Sequence, residues 1–298
     1  MFKGAYADIF TEKNEKSDEM VFSITMEDLP SHGNVYSRTY GNWMTAGNGQ
    51  SHYFMNVNFV NSYQWADGRP FSFDDVIPGY DGMDVKARSV YFLRNNMTDT
   101  EKATMKAYGA DMSQYDESGN EARILKAYTG RDPRLAATVI APYTNYLGGF
   151  ASGAATNYQT RWPYRSENAP DFDLRTGSPT HMYYSIRKFV TVGKEHMNVT
   201  YNPVDVPVIR YADVLLCLAE CLNEQGKTKE AVNYVNEVRS RAGVAKLDSG
   251  ADWLAVTGQE DLRKRIQDEK HWELACEEQL YLEELRWGIW KSRKFDFA

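Results

Sequence analysis

The chain has 298 residues and a formal net charge of −7, and it carries no basic cluster interleaved with aromatics, so a nucleic-acid surface is not expected. Its length suits one large domain or two small ones. No apolar run approaches a membrane span, and the opening MFKGAYADIFTEKNEK lacks the charged and apolar regions of a signal peptide.

In chain order, residues 1–10 read as the end of a helix with Phe2, Tyr6, Ile9 and Phe10 on one side, followed by a polar turn. Met20 to Ile24 reads as a short strand. From Asp28 to Tyr53 the periodicity is lost in a stretch rich in Gly, Asn, Ser and aromatics, of the kind that is usually functional or disordered. Val57 to Trp65 suits one or two helical turns, and residues 70–95 read as loop. Residues 98–108 suggest a short exposed helix opened by a Thr or Asp cap, and Glu121 to Tyr128 another. Gly130 to Leu135 reads as a turn leading into a strand-like 137–140. Residues 141–180 form a second long irregular region, and Met182 to Val190 reads as a strand, with polar loop continuing to Pro207.

The stretch from Pro207 to Gly243 is the most regular. Leu215, Leu218, Ala219 and Leu222 recur at helical spacing, as do Ala231, Tyr234, Val235, Val238 and Ala242. Gly226 suits a left-handed helix end and Thr228 the next cap, so helices over 209–225 and 228–242 should fold back antiparallel. Ala219 and Ala231 stand where a tetratricopeptide unit needs close approach, and one such unit cannot cover its own outer faces. Thr257 to Glu260 reads as a capping box opening a long helix through Leu262, Ile266 and Leu274 toward Leu280. Cys217 and Cys221 lie one turn apart and Cys276 sits in another helical segment; all three are expected to act as small buried hydrophobes, and they do not reveal a redox compartment. The fold class expected is mainly α, with a tetratricopeptide-like helical region at 207–298 and a large irregular α+β region at 1–206, both parts of one domain.

Few residues suggest catalysis. The five His show no metal-ligand spacing, and Asp81-Gly82-Met83-Asp84 lacks the ligand count for calcium and reads as a plain turn. His271 near Cys276 could suggest a thiol nucleophile, but both lie in a structural pattern. A glycosidase carboxylate pair cannot be identified from sequence. No enzyme, cofactor or metal is expected.

Taken together these segments resemble the SusD/RagB family, the starch-utilisation-type nutrient-binding lipoproteins of bacterial outer membranes. Glu19-Met-Val-Phe22, Val60-Asn-Ser-Tyr-Gln-Trp-Ala-Asp-Gly68 and Arg131-Asp-Pro-Arg-Leu135 are similar to that family's motifs. So are Ile209 to Leu216 with Ala219-Glu220, Val235 to Gly243, and Glu273-Leu274, Glu277 and Arg286-Trp-Gly288, all in the family's order. Two stretches depart from it: Glu277-Glu278-Gln279-Leu280 stands where Glu-Gly-x-Arg is common, and Glu284-Leu285 replaces the usual Leu and Arg. The resemblance implies that a full member would begin with a lipoprotein signal, a lipidated Cys and further tetratricopeptide helices, and would continue past Phe297. This chain is then expected to be the middle and much of the C-terminal part of a SusD-like fold.

It also implies a non-catalytic protein on the outer face of the outer membrane, lipid-anchored in its full-length form. Such a protein binds oligosaccharides or polysaccharides and delivers them to a SusC-like TonB-dependent transporter. A peptide- or protein-binding member of the same fold is the alternative. The Arg131, Asp132 and Arg134 turn is expected to pin backbone. The ligand surface is expected after the Glu19–Phe22 strand, at Tyr36, Tyr40 and Trp43 with Arg38, Asn42 and Asn48 as polar partners, and secondarily at Trp162 and Tyr164. An aromatic ring covers the C–H face of a sugar while polar groups bond its rim. Covering about 80 Å² at roughly 25 cal/mol/Å² contributes about 2 kcal/mol. Trp65, beside a helix with core neighbours, is expected to be structural.

Overall fold

The computed structural model describes residues 1–41, 52–148, 156–165, 173, 184–193 and 201–295. In chain order the elements are strand β1 (Met20–Ile24), helix α1 (Tyr36–Thr39), α2 (Val57–Ser62), α3 (Val85–Ser89), α4 (Asp99–Ala107), α5 (Asn120–Leu125) and α6 (Pro133–Thr138). Then come the short strands β2 (Val139–Ile140), β3 (Tyr146–Gly148), β4 (Thr156–Tyr158), β5 (Ser185–Ile186) and β6 (Val206–Arg210). Helices α7 (Tyr211–Glu224), α8 (Thr228–Ala242), α9 (Gln259–Glu273), α10 (Glu278–Arg286) and α11 (Trp290–Phe295) complete the set. The protein is mainly helical, and among the described residues the strands pair as antiparallel two-stranded ribbons, β1 with β6, β2 with β5 and β3 with β4.

The C-terminal helices form as their patterning dictates. Gly226 takes φ +77°, closing α7 with no Cβ penalty, and α8 returns along it. Ala219 and Ala231 are fully buried in one cluster with Leu215, Leu222, Val235 and Val238, and α9 covers that cluster with Leu262 and Ile266. A second core, built on Phe59, Tyr63, Leu135, Trp272 and Leu274, joins the irregular region to the end of α9. A third and smaller cluster holds Tyr6, Ile9, Phe10 and Phe189.

Several local expectations are corrected. Residues 6–10 are a short 3-10 turn instead of the end of an α-helix. The 70–95 stretch is built from short turns of helix: α3 and 3-10 segments at Phe73–Asp75, Tyr80–Gly82 and Val90–Phe92. Arg131 to Leu135 opens α6: the Asp132 carboxylate accepts from the Arg134 amide and Pro133 takes the first helical turn, where a missing N–H costs nothing. Within 184–190 only Ser185–Ile186 is strand.

Helix α7 starts at Tyr211, so Ile209 and Arg210, expected as helix, are extended and the full 209–225 span is not helical. Val206, Val208 and Ile209 are β-branched, and pairing with β1 over Met20–Ile24 wins over helical propensity. Thr228 does not cap α8; its hydroxyl donates to Asn223 Oδ1 at 3.0 Å, and Lys227 holds the cap position. The capping box at Thr257 does not form, since Gly258 occupies the cap. The long helix breaks at residues 274–277, where Cys276 takes φ +62°, and α10 starts anew. Cys217 and Cys221 are exposed residues, so the expectation of three buried thiols fails; Cys217 Sγ accepts from the Lys270 ammonium of α9 at 3.1 Å.

Candidate functional site

Charged residues from several of the sequence motifs converge in the interior. The Arg210 guanidinium donates to Glu19 Oε1 at 2.9 Å, to Glu273 Oε1 at 2.8 Å and to both Glu277 carboxylate oxygens at 2.8 Å. Glu273 also pairs with Arg241 and, at 3.1 Å, with Arg134, which is held by Asp132 and Glu269 at 2.7 Å each. Arg239 joins at Glu269 and Lys188 at Glu277, at 2.9 and 2.6 Å. Five cations (Arg134, Lys188, Arg210, Arg239, Arg241) thus face five carboxylates (Glu19, Asp132, Glu269, Glu273, Glu277) in one buried chain of ion pairs. Burial alone would raise the Glu273 carboxyl, but Arg241, Arg210 and Arg134 hold it well below the usual carboxylate range. Arg131 caps the backbone carbonyls of Val60, Tyr63 and Ala127 and lies over the Phe71 ring. These residues are scaffold, as the reading of the Arg131–Arg134 turn anticipated.

From that network a row of rings runs outward. Tyr6 donates its hydroxyl to Glu273 O at 2.7 Å and meets Phe10 edge-on at 5.1 Å; Phe10 meets Phe189 at 5.1 Å. Phe189 stacks on Tyr36 at 5.2 Å, Tyr36 stacks on Tyr40 at 5.0 Å and 13° between planes, and Tyr40 meets Tyr53 edge-on at 5.9 Å. Tyr36 opens α1 and Tyr40 follows its last residue as the C-cap, and the Asn34 side chain accepts from the Tyr36 amide at the start of the helix. Both are half-buried, and Tyr53 is 57% exposed with His52 beside it. Burial raises the Tyr36 and Tyr40 hydroxyls above their ordinary values, so both remain neutral donors at physiological pH. Arg38, on the same short helix, is partly exposed.

The structure therefore brings Tyr36, Tyr40 and Arg38 together. Trp43, Asn42 and Asn48 lie outside the described residues, in the segment between Gly41 and His52. Trp162 is elsewhere: it packs on the core under the irregular region, and its carbonyl accepts from the Arg94 amide at 2.5 Å. Tyr164 is half-buried close by, next to Arg165, whose amide donates to the buried Asp173. Trp65 donates its indole N–H to Asp75 at 2.7 Å and meets Phe71 edge-on. Sequence reasoning missed Tyr53 and Phe189. Neither shows any periodicity, and Phe189 owes its place to a backbone φ of +64°.

Beside the row lies a cleft of about 320 Å³, lined by Ile24, Met26, Tyr36, Phe189, Val206 and Val208 together with Glu278 and Gln279. The nucleophile candidates are taken up by packing. Burial lowers His271 to about pH 4, and its Nδ1 lies 2.6 Å from Glu284. The Cys276 thiol is pushed up to about 11 by burial and faces Met55 Sδ. Asp84 caps α3, and Asp81 accepts from Ser72 Oγ at 2.7 Å, so this turn is held by its own side chains.

Comparison with known proteins accounts for this frame. The SusD family model matches residues 12–296, and the chain belongs to that family. Two SusD-like proteins of Formosa agariphila are 41% identical over 83 residues and 30% over 86, each match covering 28% of this chain and 15% and 17% of theirs. A SusD-like carbohydrate binding protein of Bacteroides fragilis shares the fold at a TM-score of 0.62 and 24% identity, with 96% of this chain and 46% of that chain covered. A second SusD-like protein of that organism aligns at a TM-score of 0.58 and 20% identity, over 95% of this chain and 46% of that one. The chain thus spans less than half the length of these solved relatives.

Proposed function

We propose that this protein is a non-catalytic glycan-binding protein that takes up oligosaccharides or polysaccharides on the surface around Tyr40 and Tyr53. It delivers them to a SusC-like TonB-dependent transporter at the outer face of the outer membrane, where a lipid anchor in the full-length form holds it. The observation that carries this reading is the aromatic row, which emerges from the interior and ends in the exposed Tyr53. Rings at the surface cover the apolar faces of sugars, and Arg38, His52, Asn42 and Asn48 supply polar partners for the hydroxyl rim. Trp43 stands in the same segment and serves as the principal platform, with Trp162 and Tyr164 as a second surface. Membership in the SusD family and the carbohydrate-binding description of a structural relative support the ligand class.

The apolar cleft beside Tyr36 favours the alternative, a peptide- or protein-binding member, because an extended segment would bury apolar side chains there. Affinity electrophoresis through gels containing starch, laminarin, xylan or host glycosaminoglycan separates the two. Retardation in at least one gel, with no reducing ends released overnight, is expected. Retardation in none, together with binding to an apolar peptide library, would replace glycan by peptide. Hydrolysis that survives repurification and is lost on changing one carboxylate would make the protein an enzyme.

A further inference from the structure

We infer that Lys188 and Phe189 are positioning residues that set the Tyr36–Tyr40 stack from below; the functional half of this inference rests on the glycan-binding reading above. Phe189 occupies φ +64°, a region that a bulky side chain rarely adopts, so something must hold it there. The preceding residue does. Lys188 Nζ is buried and donates to Glu277 Oε1 at 2.6 Å, to Tyr6 Oη at 2.8 Å and to Ala275 O at 2.8 Å. The same ammonium lies 4.2 Å from the Phe10 ring centroid and 5.3 Å from that of Phe189. With the side chain of residue 188 fastened inward, the left-handed turn at 189 swings the next side chain outward. Its ring then meets Tyr36 at 5.2 Å and 28° while Phe10 braces it edge-on.

Tyr36 in turn stacks on Tyr40, and α1, which Tyr36 opens and Tyr40 follows as its C-cap, is only four residues long and cannot fix two rings by its own hydrogen bonds. Packing must do so, and Phe189 is the ring that joins Tyr36 to the interior. The stack is thereby tied to the buried ion pairs through Lys188 and Phe189. Substitution at 189 should disturb ring positions about 10 Å away while leaving the ion pairs intact, on the scale set by two stacked ring spacings.

The test labels the 298-residue protein with 3-fluorotyrosine and follows the fluorine resonances of Tyr36 and Tyr40, assigned by Tyr36→Phe and Tyr40→Phe. Phe189→Leu should shift or broaden both resonances and weaken retardation by the best-retarding polysaccharide about fivefold. Phe189→Tyr should restore both. Lys188→Met should act like Phe189→Leu if it folds; Phe189→Leu alone decides the matter if it does not. Unchanged Tyr36 and Tyr40 resonances in folded Phe189→Leu would overturn the inference, whatever happens to binding. Shifted resonances with unchanged polysaccharide affinity would instead uphold the positioning and remove Tyr36 and Tyr40 from the binding surface.

Discussion

Arg210 and Glu273 are joined twice: a guanidinium nitrogen lies 2.8 Å from Glu273 Oε1, and another donates to the Glu273 backbone carbonyl at 2.9 Å. Arg210 ends β6 and Glu273 ends α9, so this contact fastens the ribbon to the helical region at the point where the chain turns from strand into α7. Both groups are fully buried, and removing the Glu273 charge leaves Arg210, Arg134 and Arg241 with one carboxylate fewer to balance them in the interior. Glu273→Gln should therefore destabilise the protein by about 3–5 kcal/mol, read from urea midpoints. A loss below about 1 kcal/mol would show that the pairs are dispensable.

The same sites set the response to acid. Burial holds His271 neutral, at about 4 in the folded state against an unfolded value near 6.5. Above pH 6.5 neither state is protonated and the contribution is complete. Between pH 6.5 and 4 the unfolded chain binds a proton that the folded one refuses, so stability falls, by about 3 kcal/mol in total. Glu273 is depressed, so its contribution is present above an unfolded value of about 4.3 and is lost only as pH falls below that, toward its lowered folded value. The urea midpoint of His271→Gln should be flat from pH 6.5 to 4.5 and should then fall like that of the unchanged protein. A slope unaltered by this substitution would assign the upper window to other groups.

Much of the frame was legible in the sequence because apolar periodicity and glycine placement are local signals. Ala219, Ala231 and Gly226 identified the helix pair on their own, and the Thr or Asp cap read for the helix at 98–108 is Thr98, with its capping box to Glu101. What was not legible depends on distant partners. Ile209 and Arg210 read as helix until β1, almost two hundred residues away in sequence, claims them. The motif charges Glu19, Arg134, Arg210 and Glu273 could be recognised as a set, but their meeting in the interior has no signature along the chain. At the site, Tyr36 and Tyr40 stood out as rings without periodicity. Tyr53 and Phe189 did not, because a left-handed phenylalanine follows from how Lys188 is anchored and not from neighbouring residues.

Close approach at the crossing of α7 and α8 carries its own consequence. Ala231 has no exposed surface, and a ring there would force the helices apart. Ala231→Phe should lower stability by about 1–3 kcal/mol through overpacking. An unchanged melting midpoint would contradict the tetratricopeptide-like packing.

The central claim, glycan binding by surface rings, is tested most directly by titration calorimetry of one retarded polysaccharide against the unchanged protein, Trp43→Ala, Tyr53→Ala and Trp65→Ala, with melting temperatures measured alongside. Open surface sites of this kind should bind near millimolar, about −4 kcal/mol. Losing a platform of about 2 kcal/mol should weaken binding roughly thirtyfold. Trp43→Ala is therefore expected to abolish detectable heat, and Tyr53→Ala to reduce it, with melting temperatures nearly unchanged. Trp65→Ala, which removes the indole bonded to Asp75, should lower the melting temperature more than the affinity. If Trp43→Ala and Tyr53→Ala both bind like the unchanged protein, the ligand surface is not at this row, and the account of the site is wrong.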